Sequence, residues 1–221
     1  MTRRARTVFA AVCVAAFGLL SFCVARSLTD GLDDRVRQVF RPDDIWSTNQ
    51  LIFGNVVDGL EPPIAVAILA VVASVAAVVR RSPAPLVFAG AITVVAAALT
   101  MASKALVGRA DPHGDLNGHG GAYPSGHMVM LVVALSGCVL LLRRRSHWGD
   151  WVLVTAVVVT MGVSLLFLAT HWFTDVVGGA LLGAVVATVA TLVPAPRGLR
   201  REGPEQPASA PDVPVHVEDD A

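Results

Sequence analysis

Two short polar clusters stand at the starts of long apolar runs in this 221-residue chain. The first is Tyr123-Pro124-Ser125-Gly126-His127, which is followed by the apolar run from Met128 to Leu142. The second is His171-Trp172-Phe173-Thr174-Asp175, which precedes another apolar run. Ionisable groups beside hydrocarbon are costly, and they mark functional sites. Because serine, histidine and lysine side chains can hold and attack phosphate, the clusters predict phosphate chemistry at a membrane.

The first cluster has the composition of an anion site at a helix start. Such a start offers unpaired backbone N–H groups and the positive end of the helix dipole. Ser125 suits the N-cap position, and Gly126 lets a phosphate approach the backbone closely. We therefore interpret residues 124–127 as a phosphate cradle that carries the His127 imidazole. An ordinary capped helix with an interfacial histidine explains the same residues equally well.

His171 and Asp175 are four residues apart, so on a helix their side chains share a face. A carboxylate on one ring nitrogen fixes the tautomer and leaves the other nitrogen free to act as a nucleophile. The alternative is a membrane-edge pair that merely faces water. Lys104, the only lysine of the chain, stands at the end of an earlier apolar run. We favour contact of its compact ammonium with phosphate over snorkelling to the interface.

The setting of these residues is a membrane, because 54% of the chain is apolar, 15% is charged, and the apolar residues form long blocks. About twenty residues cross a bilayer as a helix. The blocks predict an all-α, polytopic bundle of six transmembrane helices: Val8 to Ala25, Pro63 to Val79, Pro85 to Ser103, His127 to Leu142, Trp151 to Thr170, and Val176 to Val193.

Arginine residues predict the orientation of the bundle, because basic connections stay in the cytoplasm. They lie before the first span, in every second connection and after the sixth span: Arg3, Arg4, Arg6, Arg80, Arg81, Arg143, Arg144, Arg145, Arg197, Arg200 and Arg201. Both termini are then cytoplasmic, and both polar clusters face the outside. We expect a multi-pass protein of the cell membrane, with its site on the extracytoplasmic side.

One domain, residues 1–193, contains all six spans, and residues 194–221 read as a disordered cytoplasmic tail. The first span is interpreted as a retained anchor, although a signal peptide has a similar pattern. The residue pattern of the outer loop, residues 26–62, predicts a short amphipathic helix that acts as a lid or guides lipid headgroups. A solvated connector explains the same residues equally well. Gly178-Gly179-x3-Gly183 fits helix packing within the chain or across a dimer.

The order of these motifs resembles the type 2 phosphatidic acid phosphatase (PAP2) superfamily, in its membrane lipid phosphatase branch. The shared pattern is a lysine at a span end, Pro-Ser-Gly-His opening the next span, and Ser-x6-His-x3-Asp opening the last, over residues 104–183. The resemblance implies that His171 forms a phosphohistidine, that Asp175 orients it, and that His127 protonates the leaving group. It further implies that Lys104, Ser125 and the Gly126 N–H stabilise the phosphorus centre, without metal or organic cofactor.

Two positions depart from the family pattern. Asp111 stands where the first motif has an arginine, and Leu165 stands where the third motif has one. Both arginines usually clamp phosphate, and removing one such cation commonly lowers the rate by about two or three orders of magnitude. Arg109, two residues before Asp111, is the candidate replacement and is included among the expected phosphate ligands.

These observations favour an integral membrane phosphatase that hydrolyses a lipid phosphate or polyprenyl diphosphate at the outer face. Its expected partners are that substrate and membrane lipids, with no nucleic acid. The alternative is a catalytically impaired relative that binds or carries phospholipid headgroups, as Asp111 and Leu165 suggest. A metal enzyme using His113, His119 and His127 is disfavoured by their Gly-rich spacing, and a vanadate-dependent haloperoxidase by the membrane setting.

Overall fold

The computed structural model describes residues 2–46, 48–116, 121–143 and 147–192, and all regular secondary structure within them is helical. Eight α-helices follow one another in this part of the chain: α1 (Arg3–Ala25), α2 (Asp30–Phe40), α3 (Thr48–Gly59), α4 (Pro62–Arg80), α5 (Ala84–Val107), α6 (Gly126–Leu142), α7 (Trp148–Phe167) and α8 (Phe173–Leu192). The predicted tail, residues 194–221, and His119 lie outside the described residues.

The all-α fold class is confirmed, and each of the six predicted spans corresponds to one helix. By length and composition, five helical segments suffice to cross a bilayer, namely α1, the stretch Thr48–Arg80, α5, α7 and α8. Helix α6 is apolar but has only 17 residues, which corresponds to about 26 Å at 1.5 Å per residue. Outward-facing side chains such as Val75 and Val78 are 56% and 78% exposed, as expected of helices that face lipid.

The outer loop contains two helices instead of the single one predicted. Helix α2 covers the expected amphipathic segment, whereas α3 was not predicted, because polar residues interrupt its apolar pattern. Helix α3 packs on the end of α7, where the Phe53 and Phe167 rings stack with centroids 4.4 Å apart. Its Gln50 side chain donates a hydrogen bond of 3.2 Å to the Phe167 carbonyl.

The outer loop also closes the end of α7. The Arg41 guanidinium, which is buried, donates a 2.7 Å hydrogen bond from Nη1 to the Leu168 carbonyl. Carbonyls in the last turn of a helix lack intrahelical partners, so Arg41 and Gln50 supply donors that the helix itself cannot. Asp33 of α2 is also buried against the bundle. These contacts pack residues 26–62 against the helix bundle, unlike a solvated connector.

Helices α6 and α8 approach closely because glycines line the contact. A Cβ atom on Gly179 would lie 2.5 Å from the Ser125 carbonyl oxygen, and one on Gly183 would lie 2.7 Å from Cβ of Val132. One on Gly178 would lie 2.6 Å from the Tyr123 ring. The small residues thus serve packing within the chain.

Helix α1 is part of the same bundle and packs along α8. Near its start, Nη1 of Arg6 donates a 2.9 Å hydrogen bond to the Thr191 carbonyl. Near its end, the Phe17 ring stacks on Tyr123 at a centroid distance of 6.1 Å, and the Ser21 hydroxyl lies 2.9 Å from the Tyr123 hydroxyl. The first span therefore supports the segment that leads into α6.

We predict that Gly179→Ala destabilises the bundle by about 1–3 kcal/mol, the usual cost of overpacking. The added methyl group would collide with the Ser125 backbone. Thermal unfolding of the purified protein in detergent measures the effect. Gly90→Ala is the matched control, because Gly90 lies in the apolar helix α5 and a Cβ there meets nothing within 4 Å. Equal melting temperatures for the two variants would contradict this account of the α6–α8 contact.

Candidate functional site

The two polar clusters of the sequence meet at one end of the bundle. The Ser125 backbone N–H donates a 3.0 Å hydrogen bond to the Asp175 carbonyl, which ties the start of α6 to the first turn of α8. As a result, the His127 and His171 rings face each other with centroids 5.8 Å apart and planes inclined at 72°. Two imidazoles from different helices therefore border the same small space.

Asp175 stands behind His171 and is fully buried. Its Oδ2 lies 3.6 Å from Nδ1 of His171 and accepts a 2.9 Å hydrogen bond from the Trp172 backbone N–H. The first distance is longer than a hydrogen bond. The carboxylate thus faces Nδ1, and Nε2 is the ring nitrogen on the other side.

Ser125 occupies the N-cap position of α6, and its carbonyl accepts the Val129 N–H at 3.1 Å. The side chain, however, makes no capping hydrogen bond. The Ser125 hydroxyl is buried and has no hydrogen-bond partner among the described residues. A buried hydroxyl without a partner is costly, so this group is well suited to bind an oxyanion.

Lys104 lies on α5 beside the start of α6. It is buried, and its Nζ donates a hydrogen bond to the Gly121 carbonyl. One turn earlier on α5, the Thr100 methyl group lies 4.0 Å from the place that a Cβ on Gly126 would take. An ammonium group carries three donors. Lys104 therefore keeps donors beyond the one that it gives to Gly121.

Arg109 follows α5 and points toward the first turn of α8. Its Nη1 donates to the Thr174 hydroxyl at 2.7 Å and to Oδ1 of Asp175 at 3.2 Å, and its Nη2 donates to Oδ2 of Asp33 at 2.7 Å. Its guanidinium carbon also lies 5.1 Å from the centroid of Trp172. The structure therefore places Arg109 against the carboxylate that faces His171.

The two residues that depart from the family pattern have structural partners of their own. Oδ1 of Asp111 accepts backbone hydrogen bonds from His113 and Asp115, each of 2.9 Å. Its carboxylate thereby shapes the loop in which it lies. Leu165 is fully buried in the apolar core. Neither position supplies a cation to the site.

Three residues near the site had no predicted role: Asp33, Tyr123 and Thr174. Thr174 was noted only as part of the second cluster, and Asp33 lies within residues 26–62, for which the sequence predicted only an amphipathic helix. A signal for Asp33 does exist, because it shares a helical face with Val36 and Phe40, which pack against the core. A carboxylate in that apolar stripe must have a buried partner.

Within the described ranges, no group of three or more histidine, cysteine, aspartate and glutamate side chains has the arrangement of a metal site. His127 faces His171, whereas His113 is an exposed residue of the loop around Asp111. Of the three histidines considered for a metal enzyme, the two that the structure describes, His113 and His127, thus have different surroundings.

A family model for the PAP2 superfamily matches residues 85–198, just over half of the chain. The chain belongs to the PAP2 superfamily. Its structure is also similar to the crystal structure of the first transmembrane PAP2 type phosphatidylglycerolphosphate phosphatase from Bacillus subtilis, with a TM-score of 0.71 at 14% identity. That similarity covers 82% of this chain and 94% of the other. A search of curated proteins returns no match.

Family membership and the apolar helices together make this chain a multi-pass membrane protein of the PAP2 superfamily. The matched region contains Lys104, the 124–127 segment and the His171 to Asp175 cluster. The motifs on which the resemblance was based thus lie within the region that defines the family.

Tyr123, the only tyrosine of the chain, gives a spectroscopic test of this geometry. Burial raises its pKa to about 12; the hydrogen bond with Ser21 and the charge of Arg109 oppose the shift, and the charge of Asp175 adds to it. We predict that tyrosinate absorbance appears near pH 12 in the folded protein and near pH 10 after denaturation.

The raised pKa of Tyr123 also determines how the stability of the protein changes with pH. Because the folded pKa lies above the unfolded value, the unfolded chain loses the Tyr123 proton first, and stability falls as the pH rises from about 10 to 12. Tyr123→Phe should remove this part of the pH dependence. A folded protein whose absorbance titrates near pH 10 would show that Tyr123 is not buried beside α8.

Proposed function

We propose that this protein is an integral membrane phosphatase that hydrolyses a lipid phosphate or a polyprenyl diphosphate. The observation that carries the proposal is the meeting of His127 and His171, 5.8 Å apart, with the Asp175 carboxylate behind His171. One imidazole can attack phosphorus while the other serves the leaving group. Family membership supports a phosphoric ester hydrolase, and the related B. subtilis protein is itself described as a phosphatidylglycerolphosphate phosphatase.

The reaction then has two steps. Nε2 of His171 attacks phosphorus while the bond to the leaving oxygen breaks, and His127 donates a proton to that oxygen. Asp175 accepts the Nδ1–H of His171 and stabilises the positive charge that develops on the ring. In the second step, water gives a proton to His127 and attacks phosphorus. The P–N bond breaks, and inorganic phosphate leaves with His171 restored.

Charge on the phosphoryl oxygens needs donors that are in place before the reaction. The unpartnered Ser125 hydroxyl, the Gly126 N–H at the start of α6 and the remaining donors of Lys104 are the groups that we assign to it. Arg109 as a direct phosphate ligand stays a prediction. Its contacts with Asp33 and Asp175 supply a different role, orientation of the carboxylate behind His171.

The outer face of the membrane is the side that we infer for the site. Arg6 of α1 contacts Thr191 at the end of α8, and Arg143 after α6 pairs with Asp150 at the start of α7, at 3.3 Å. These basic helix ends lie at the opposite ends of the spans from His127 and His171. Because basic segments stay in the cytoplasm, the histidines face outward.

A second candidate is a catalytically impaired family member that binds or carries phospholipid headgroups. Two observations favour it: Leu165 is buried in the core where the family has an arginine, and Asp111 is engaged with backbone N–H groups where the family has another. Ser125, Gly126 and Lys104 would still bind a phosphate headgroup in such a protein.

We predict that the purified full chain in detergent releases inorganic phosphate from at least one of three lipids: phosphatidate, an isoprenyl diphosphate or phosphatidylglycerol phosphate. His171→Ala should lower the rate by about 10³-fold or more, because the nucleophile is lost. His127→Ala should lower it by about 10²- to 10⁴-fold, the usual contribution of a general acid. His147→Ala, at the cytoplasmic end of α7, is the histidine control and should keep the parent rate.

Two results would decide against the phosphatase. One is a folded parent that releases no phosphate from any of the three lipids; the other is a His171→Ala variant as active as the parent. Headgroup binding by that inactive parent, weakened by Lys104→Ala, would then support the carrier. If Lys104→Ala left headgroup binding unchanged, the lysine would have no part in the phosphate site.

A further inference from the structure

Asp33 of α2 is a buried carboxylate that the phosphatase mechanism does not use. It is only 1% exposed, although it belongs to a helix at the outer end of the bundle. Its Oδ1 accepts the Thr174 backbone N–H at 2.9 Å, and its Oδ2 accepts the Thr174 hydroxyl and Nη2 of Arg109, each at 2.7 Å. A buried charge needs such partners. All three donors come from the surroundings of the candidate site.

The hydrogen bond to the Thr174 N–H places Asp33 at the start of α8. The first N–H groups of a helix have no intrahelical partners, and a carboxylate is the side-chain group that the positive end of the helix dipole favours. Asp33 therefore acts as an N-terminal cap supplied by another helix. Because Thr174 is adjacent to Asp175, this contact fixes the turn that carries the carboxylate behind His171.

Arg109 links the two carboxylates. Its Nη2 binds Asp33 and its Nη1 binds Asp175, while the Trp172 ring lies against the guanidinium. Asp30 of α2 lies 3.6 Å from Nη2 but is 53% exposed, so water weakens its contribution. If Asp33 were neutral, Arg109 would interact mainly with Asp175. That carboxylate would then be less able to stabilise a positive His171.

We propose that Asp33 is a positioning residue for the reaction at His171, acting through Arg109 and Thr174. It holds the start of α8 in place and shares the charge of Arg109, so that Asp175 remains an effective partner of His171. Helix α2 of the outer loop is thereby a working part of the site. This inference rests on the proposed phosphatase function.

Arg109 lies two residues before the place where the family pattern has an arginine, and Asp111 occupies that place. With its guanidinium between Asp33 and Asp175, Arg109 contacts the carboxylate behind His171. Asp33 on α2 is thus a specific partner for an arginine at position 109 in the loop after α5.

The test compares Asp33→Asn with Asp34→Asn in the full chain. Both variants remove one negative charge from adjacent positions of α2, but Asp34 is exposed. With whichever of the three lipids the parent hydrolyses, Asp33→Asn should lower kcat by about 10-fold or more and leave KM within about 3-fold, because it alters the nucleophile's partner and not the phosphate ligands. Asp34→Asn should keep both constants.

A double variant separates positioning from a general loss of structure. If Asp33 acts through Arg109, Asp33→Asn combined with Arg109→Gln should lose no more than about 3-fold beyond Arg109→Gln alone, because the two share one pathway. If the two substitutions acted independently, their fold-losses in kcat would multiply. Thermal unfolding of every variant confirms that the protein is folded at the assay temperature. Should Asp33→Asn fail to fold, Thr174→Val removes the hydroxyl link, keeps the backbone N–H and should also lower kcat with little change in KM.

The inference is overturned if Asp33→Asn matches Asp34→Asn in kcat, if KM alone rises, or if the double-variant losses multiply. If Asp33→Asn does not fold, an unchanged kcat for Thr174→Val likewise overturns the inference. These outcomes are distinct from failure of the proposed function, which appears as a parent without phosphate release or an active His171→Ala variant. In that case the positioning role falls together with the phosphatase.

Discussion

The close approach of α8 to the segment that opens α6 is the constraint on which this site depends. Glycines at positions 178 and 179 leave room for the Tyr123 ring and the Ser125 backbone, and the Ser125 N–H can then bond to the Asp175 carbonyl. This one hydrogen bond joins two segments that are fifty residues apart in sequence. It sets the distance between His127 and His171, and hence whether both imidazoles can serve one phosphorus atom.

A second constraint is the burial of charge beside this contact. Asp33 and Asp175 are buried carboxylates, and Arg109 lies between them. Two buried anions without a cation would repel each other and lose their hydration. The cluster therefore depends on the loop after α5, where the Arg109 carbonyl accepts the Ala122 N–H at 2.7 Å. The outer loop, the loop after α5 and the start of α8 form one unit, although they come from three separate parts of the chain.

The structure gives a role to each of the two residues, Asp111 and Leu165, that stand where the family pattern has an arginine. From the motif alone, Asp111 and Leu165 read as losses to the phosphate site. In the structure, Asp111 orders its own loop and Leu165 fills the core, while Arg109 supports the carboxylate behind His171. The groups that we propose as phosphate ligands are the Ser125 hydroxyl, the Gly126 N–H and Lys104. The proposed phosphatase thus relies on fewer cations than the family pattern provides, with its nucleophile held from the outer loop.

The sequence alone determined the helical membrane fold, the approximate spans and the family, because apolar runs and short motifs are local in the chain. It also identified Lys104, His127, His171 and Asp175 as the residues that define the motif. It did not reveal helix α3, whose apolar pattern is interrupted by polar residues. Nor did it reveal that the Asp33 carboxylate is buried at the start of α8. Only the tertiary structure decided which charges meet, since the partners of Asp33 and Arg109 lie on segments distant in sequence, and burial, not sequence spacing, makes those pairings necessary.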